Sequence, residues 1–372
     1  MGFEKLFEGD VLTKRERVER TINFQPVDRV AIHEQLSYNP RVIEQYTGKT
    51  IRGYEFTAED VGKVVQKTLD ATFPMFTPYG RGTEVKPDGF VYTLDDWTKW
   101  IAKRPFEDED GACQWLEGQI SQVEDALRHF DKDKERAEYH AYMMDQQRMA
   151  GETVIIDWSI ATRFSEIFDK MGLEIFTYFY YDNPEVMKRF ISLSTEYSVR
   201  KVLAAGDNSI TPVVLIAEDF CTRGGPIFQP EILNEIHYPY IRMLTDAWHE
   251  KGLKVIYHTD GNFKKVIPNL MDCHVDGFYC LERNCGMHIE ELKSEYPNLI
   301  WAGGLDGIDV LEFGTPEDVR QEALNIIRKT NAVEDGGIFL DSSSEINPPI
   351  PVENFTAMLQ AADEARNTSF SQ

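Results

Sequence analysis

From Thr153 onward the chain alternates short apolar runs with stretches of helical periodicity, and that rhythm restricts the fold more than any other feature. Residues 153–158, 212–217, 254–257, 275–280, 299–302 and 337–340 have the composition of buried strands. Apolar residues recur every three or four positions across 163–171, 184–205, 230–252, 264–271, 289–296, 316–330 and 352–366, the mark of helices buried on one side. Gly172 supplies a helix stop and Asp182-Asn-Pro184 a helix start. Strand and helix alternating through short connections predict parallel βαβ units, hence an α/β protein. This many units in 372 residues favours one closed (β/α)8 TIM barrel over residues 1–372, with an open doubly wound sheet as the alternative.

Upstream the pattern is less regular. Residues 12–24 predict an N-terminal helical extension, broken by Pro26-Val-Asp-Arg29 before a first strand at 30–34 that ends in His33 and Glu34. Residues 39–72 read as acidic helix, 73–82 as a Pro- and Gly-rich loop and 91–93 as a strand. Trp97 and Trp100 read as packing, and 106–110 as a solvated acidic turn.

A net charge of −24 with no cluster of Lys and Arg repels a phosphate backbone, so nucleic acid is not an expected partner. Residues 1–20 lack the apolar core of a signal peptide and no apolar run is long enough to span a bilayer. The expectation is a soluble cytoplasmic protein without membrane contact. Cys113, Cys221, Cys273, Cys280 and Cys285 show no paired spacing and are expected as free thiols.

The strand at 254–257 runs into His258-Thr-Asp-Gly261, which delivers an imidazole and a carboxylate to the carboxyl end of a buried strand, where α/β folds place their chemistry. The other strand ends add Asp157, Glu218, Asp219, Glu282, Asp306, Asp341 and Ser342 to Ser344. So many carboxylates on one face need a proton, a cation or a ligand to relieve their repulsion. The competing reading makes Asp341 and Ser342, and equally Asp306, helix N-caps. Cys221 is a candidate soft metal ligand beside His258 and Asp260, while Cys280 and Cys285 read as packing. No phosphate-binding glycine loop or nucleophile elbow is present.

Arg15-Glu-Arg-Val18 with Pro26-Val-Asp-Arg29, Ala217-Glu-Asp219 through Gly225-Pro226 to Gln229-Pro230, His258-Thr-Asp-Gly261, Gly303-Gly-Leu-Asp306, Phe313-Gly-Thr-Pro-Glu317 and Pro351-Val-Glu-Asn354 together resemble the uroporphyrinogen decarboxylase superfamily. The resemblance implies a TIM barrel and one of two chemistries. The decarboxylating branch uses arginines after the first strand and a late histidine. Here His33-Glu-Gln-Leu-Ser-Tyr38 has no arginine, and Ser344 matches the late histidine. The other branch comprises cobalamin-dependent methyltransferases, whose thiol-methylating members hold zinc with a His-x-Cys pair and a later Cys. The matching positions are His258, Asp260 and Ser344, so the thiolates are missing.

That departure favours a harder site and an oxygen substrate, as in the methyltransferases of O-demethylase systems. The expected activity is transfer of a methyl group from a small methoxylated, aromatic donor to cob(I)alamin on a separate corrinoid protein, since the chain has no D-x-H-x-x-G cobalamin motif of its own. His258, Asp260, Glu218 and Asp219 are the expected catalytic residues. His258, Asp260 and Cys221 would hold a zinc ion, and Tyr257, Asp306, Trp158 and Phe220, with Phe228, would contact substrate. A cofactor-free decarboxylase and a non-catalytic binding barrel are the alternatives.

Overall fold

Eight short parallel strands define the architecture: β1 (Ala31–Glu34), β2 (Ala71–Thr72), β3 (Val154–Ile155), β4 (Val213–Ala217), β5 (Lys254–His258), β6 (Gly277–Tyr279), β7 (Ile300–Leu305) and β8 (Ile338–Ser342). The computed structural model describes residues 6–36 and 38–370. Strands adjacent in sequence pair in parallel and β8 pairs back with β1. Between β3 and β4 the link is a parallel bridge from Asp157 to Val214, with the Leu215 N–H donating to the Asp157 carbonyl at 2.8 Å. The result is a TIM-barrel-like (β/α)8 ring.

Side chains alternate across this ring as the pleat requires. Ala31, Ala71, Val154, Val213, Leu215, Ile256, Ile300, Ala302 and Phe339 fill the lumen as one cluster. Ile32, Val214, Ile216, Val255, Tyr257, Phe278, Trp301 and Leu340 face out and join the larger core under the helices. Helix Lys14–Ile22, started by a Thr13/Glu16 capping box, inserts Val18 and Ile22 into the lumen cluster from the amino end of the strands. Residues 1–5 of the stretch read as lacking a signal peptide lie outside the described residues.

Below that helix Arg17 and Arg29 meet Asp10, Asp28 and Asp70 in a buried ion network. This is what the Arg15-Glu-Arg-Val18 and Pro26-Val-Asp-Arg29 segments are for. They close the floor of the barrel, the end that serves stability.

Several elements depart from the sequence reading. The stretch 39–72 resolves into helices Pro40–Thr47 and Ala58–Thr68 followed by β2, a two-residue strand too short to show a period. The strand at 91–93 is not in the barrel: Val91–Asp96 is the middle of a separate antiparallel sheet with Gly80–Val85 and Thr98–Lys103. Trp100 on that sheet is exposed, not packed, and Phe106 is buried rather than in a solvated turn. Helices Glu109–Arg128 and Lys132–Ala150 lead into β3, and Leu173–Asp182 is a further helix. The helix expected at 230–252 breaks at His237 into Pro230–Ile236 and Tyr238–Glu250, because Pro239 lacks an N–H and its ring clashes with the carbonyl four residues back. Among the described residues no helix is long and apolar enough to cross a membrane.

Candidate active site at the barrel mouth

Register assembles the site. β5 pairs with both neighbours so that His258 lies opposite Ala217 on β4 and Tyr279 on β6. The residues that follow on each strand are therefore side by side: Glu218-Asp219, Thr259-Asp260 and Cys280-Leu-Glu282. Since Tyr257 points outward, His258 points in, and its ring meets the inward Tyr279 ring at 5.4 Å.

His258 Nε2 lies 3.6 Å from Asp219 Oδ1 and 3.8 Å from Asp260 Oδ1. Asp219 Oδ1 also accepts the Asp260 N–H at 2.8 Å. Cys280 Sγ lies 2.9 Å from Asp260 Oδ1 and 2.7 Å from the Ser343 carbonyl oxygen, and its single S–H proton serves one or the other. One ligand atom each from His258, Asp260 and Cys280 fall within 4.8 Å of one another. The loop carrying Asp260 turns at Gly261, whose N–H donates to Glu282 Oε2 at 2.5 Å. Gly261 has φ +73°, and a Cβ there would sit 2.5 Å from the Thr222 backbone, so both conformation and space demand glycine.

The electrostatics follow from these contacts. Burial alone would lower the His258 pKa, but the hydrogen bond and charge of Asp219, with Asp260 and Glu282, outweigh it and raise it. Burial alone would raise the Asp219 carboxyl, and His258 instead holds it below the usual carboxylate range. Glu345, on the loop after β8, lies within reach of the Asp260 and His258 charges. Burial and then the Asp260 charge push its carboxyl up to about 7, against the opposing effect of His258.

The residues expected from sequence separate into two sets. His258, Asp260 and Asp219 come together in the mouth. Trp158 also stands there, 39% exposed and stacked on Phe73 with ring centroids 5.7 Å apart. Glu218 is fully buried and accepts the Thr162 N–H at 3.0 Å and the Ser165 N–H at 2.7 Å, so it anchors the start of helix Phe164–Met171. Tyr257 is buried in the outer wall, its hydroxyl 2.8 Å from His237 Nε2. Phe220 and Phe228 pack around Phe164 in the same layer. Asp306 accepts the Ile308 and Asp309 N–H groups at 2.9 and 2.6 Å, which is the capping role.

Cys221 does not join the cluster. It is buried against Thr259, and burial pushes its thiol up to about 12. Asp341 and Ser342 are not caps: Asp341 pairs with His33 Nδ1, and Ser342 donates its N–H and hydroxyl to Glu34 at 2.6 and 2.9 Å. Asp157 accepts from the Tyr139 hydroxyl at 3.1 Å and fixes the β3 end.

Cys280, read from sequence as packing, instead stands beside His258 and Asp260, and Glu345 was not singled out from sequence. The signal for Cys280 was its place one residue beyond a strand that neighbours β5. Glu345 had none, because only the return of the β8 loop over the mouth brings it near His258.

Residues 157–365, more than half the chain and the part that builds this mouth from Asp157 to the last helix, match the family model for uroporphyrinogen decarboxylase (URO-D). The chain belongs to the uroporphyrinogen decarboxylase family. Among solved structures similar to this URO-D family member is a methyltransferase from Methanosarcina mazei, with a TM-score of 0.64 and 16% identity over 95% of this chain and 99% of that one. At that identity the likeness is one of fold. No curated protein matches the chain.

Proposed function

We propose that the protein transfers a methyl group from a small methoxylated aromatic donor to the cob(I)alamin of a separate corrinoid protein. The observation that supports this most is the cluster at the carboxyl ends of the strands, where Asp219, Asp260 and Cys280 surround an imidazole, with the Glu345 carboxyl within reach of its charge. Trp158 on Phe73 offers a face for an aryl ring. Demethylation leaves negative charge on the phenolic oxygen, and Glu345, held partly protonated near neutrality, supplies the proton that neutralises it. The His258 imidazole N–H donates to the donor oxygen, with Asp219 and Asp260 orienting the ring. Zinc, when bound by His258 and Asp260, would add Lewis acidity at that oxygen. Cobalamin arrives on the partner, docked over the mouth. The acidic groups around His258 repel a polycarboxylate, which weighs against porphyrinogen decarboxylation.

The test is turnover of guaiacol or vanillate with a reduced corrinoid protein, followed by the cob(I)alamin to methylcobalamin spectral change. Transfer by the wild type and its loss in Asp260→Ala are expected. Silence across several methoxylated donors would overturn the reading.

A further inference from the structure

The His258-Thr-Asp260 segment carries no sulfur, yet the barrel brings one to it by another route. Cys280 follows β6 directly and adopts φ +74°, a left-handed conformation unusual for a residue with a side chain. That turn aims Sγ at Asp260 Oδ1, 2.9 Å away, from the strand beside the histidine. His258 Nδ1 is buried and has no hydrogen-bond partner among the described residues, while Nε2 faces Asp219 and Asp260 at 3.6 and 3.8 Å. Nδ1 thus carries no bond, and Nε2 only its contacts with the two carboxylates.

We propose that His258, Asp260 and Cys280 form a zinc site in which Cys280 supplies the thiolate from the neighbouring strand. Imidazole, carboxylate and thiolate together select a borderline cation such as zinc over magnesium or calcium, which take oxygen ligands. Donor atoms of a tetrahedral zinc site stand about 3.3–3.6 Å apart. The three groups lie within 4.8 Å of one another, and Asp260 Oδ1 stands 2.9 Å from Cys280 Sγ and 3.8 Å from His258 Nε2. Binding displaces water from the cation and sends to solvent the thiol proton of Cys280 and the second ring proton of any protonated His258, and no electron changes hands. The two anionic ligands neutralise the dication, and Asp219 remains beside His258 to orient it.

Any catalytic use of this metal rests on the methyl-transfer reading, but its occupancy does not. The experiment titrates the reduced full-length chain with zinc and, separately, with cobalt(II). One metal per chain, a thiolate-to-cobalt charge-transfer band and release of a proton on binding are expected. Cys280→Ser should lose the band and bind on the order of tenfold more weakly or worse. Cys221→Ser should change neither, and thermal melting confirms that both variants fold. Absence of stoichiometric metal, or a band that survives Cys280→Ser, overturns the site. Metal bound as described without any methyl transfer overturns the functional reading alone, and transfer by metal-free protein overturns only a catalytic use of the metal.

Discussion

Asp70 holds the floor of the barrel, and Asp70→Asn tests how much. Its fully buried carboxylate accepts from Arg17 Nη1 at 2.8 Å, from Arg29 Nη1 and Nη2 at 2.7 and 3.0 Å, and from the Ile32 N–H at 2.9 Å. The amide keeps the shape and removes the charge, which leaves two buried guanidinium groups to Asp28 and Asp10. Taking one partner from a buried ion network costs about 3–5 kcal/mol. Unfolding entropy for 372 residues is about 0.8 kcal/mol per degree, so Tm should fall by about 4–6 °C.

The sign with pH is fixed as well. Burial alone would raise the Asp70 carboxyl, but Arg29 and Arg17 hold it below the usual range. Its contribution is present above the unfolded value near 3.9 and is lost only as pH falls through the lower folded value. Calorimetry of both proteins between about pH 5 and 6, below the range where Lys14, lowered by burial to about 8 against the Asp70 charge, titrates, should therefore give a constant difference, with cobalt binding at the opposite end unchanged. A Tm drop under about 1 °C, or a difference that fades within that window, would refute the argument.

At the mouth, Glu345→Gln should slow methyl transfer by roughly 10²-fold or more. It should also abolish the decline in kcat above pH about 7 that loss of the wild-type proton produces; a variant with the same alkaline limb excludes Glu345 as the acid. Gly261→Ala forces a Cβ into the Thr222 backbone at positive φ, and a loss of about 1–3 kcal/mol with weakened cobalt binding is expected. Unchanged melting and binding would show that the loop yields. Burial and the Asp341 charge raise the Glu34 carboxyl well above its ordinary range, so ionisation of the unfolded state disfavours folding as pH rises beyond about 4.3. Glu34→Gln removes that dependence, and its stability relative to wild type should climb from pH 5 through neutrality; a flat difference would contradict a buried neutral carboxyl.

Sequence periodicity and capping chemistry were enough to determine a βαβ succession and to put His258, Asp260 and Asp219 at strand ends, because the periods of strand and helix are local properties of the chain. The same alternation defeats the expected substrate contact of Tyr257, since an inward His258 leaves its neighbour in the outer wall. Tertiary structure alone decided β2 and β3, two residues each, which exist as strands only because their neighbours in the ring supply the hydrogen bonds. It also decided which carboxylates are free to act: Glu218 and Asp306 cap backbone N–H groups, while Asp219 and Asp260 remain about half exposed. Cys280 and Cys221 look alike in sequence, as small apolar residues near strand ends. One reaches the histidine and the other does not because strand register and the sign of a single φ set where a sulfur points, and neither is written in the residues around it.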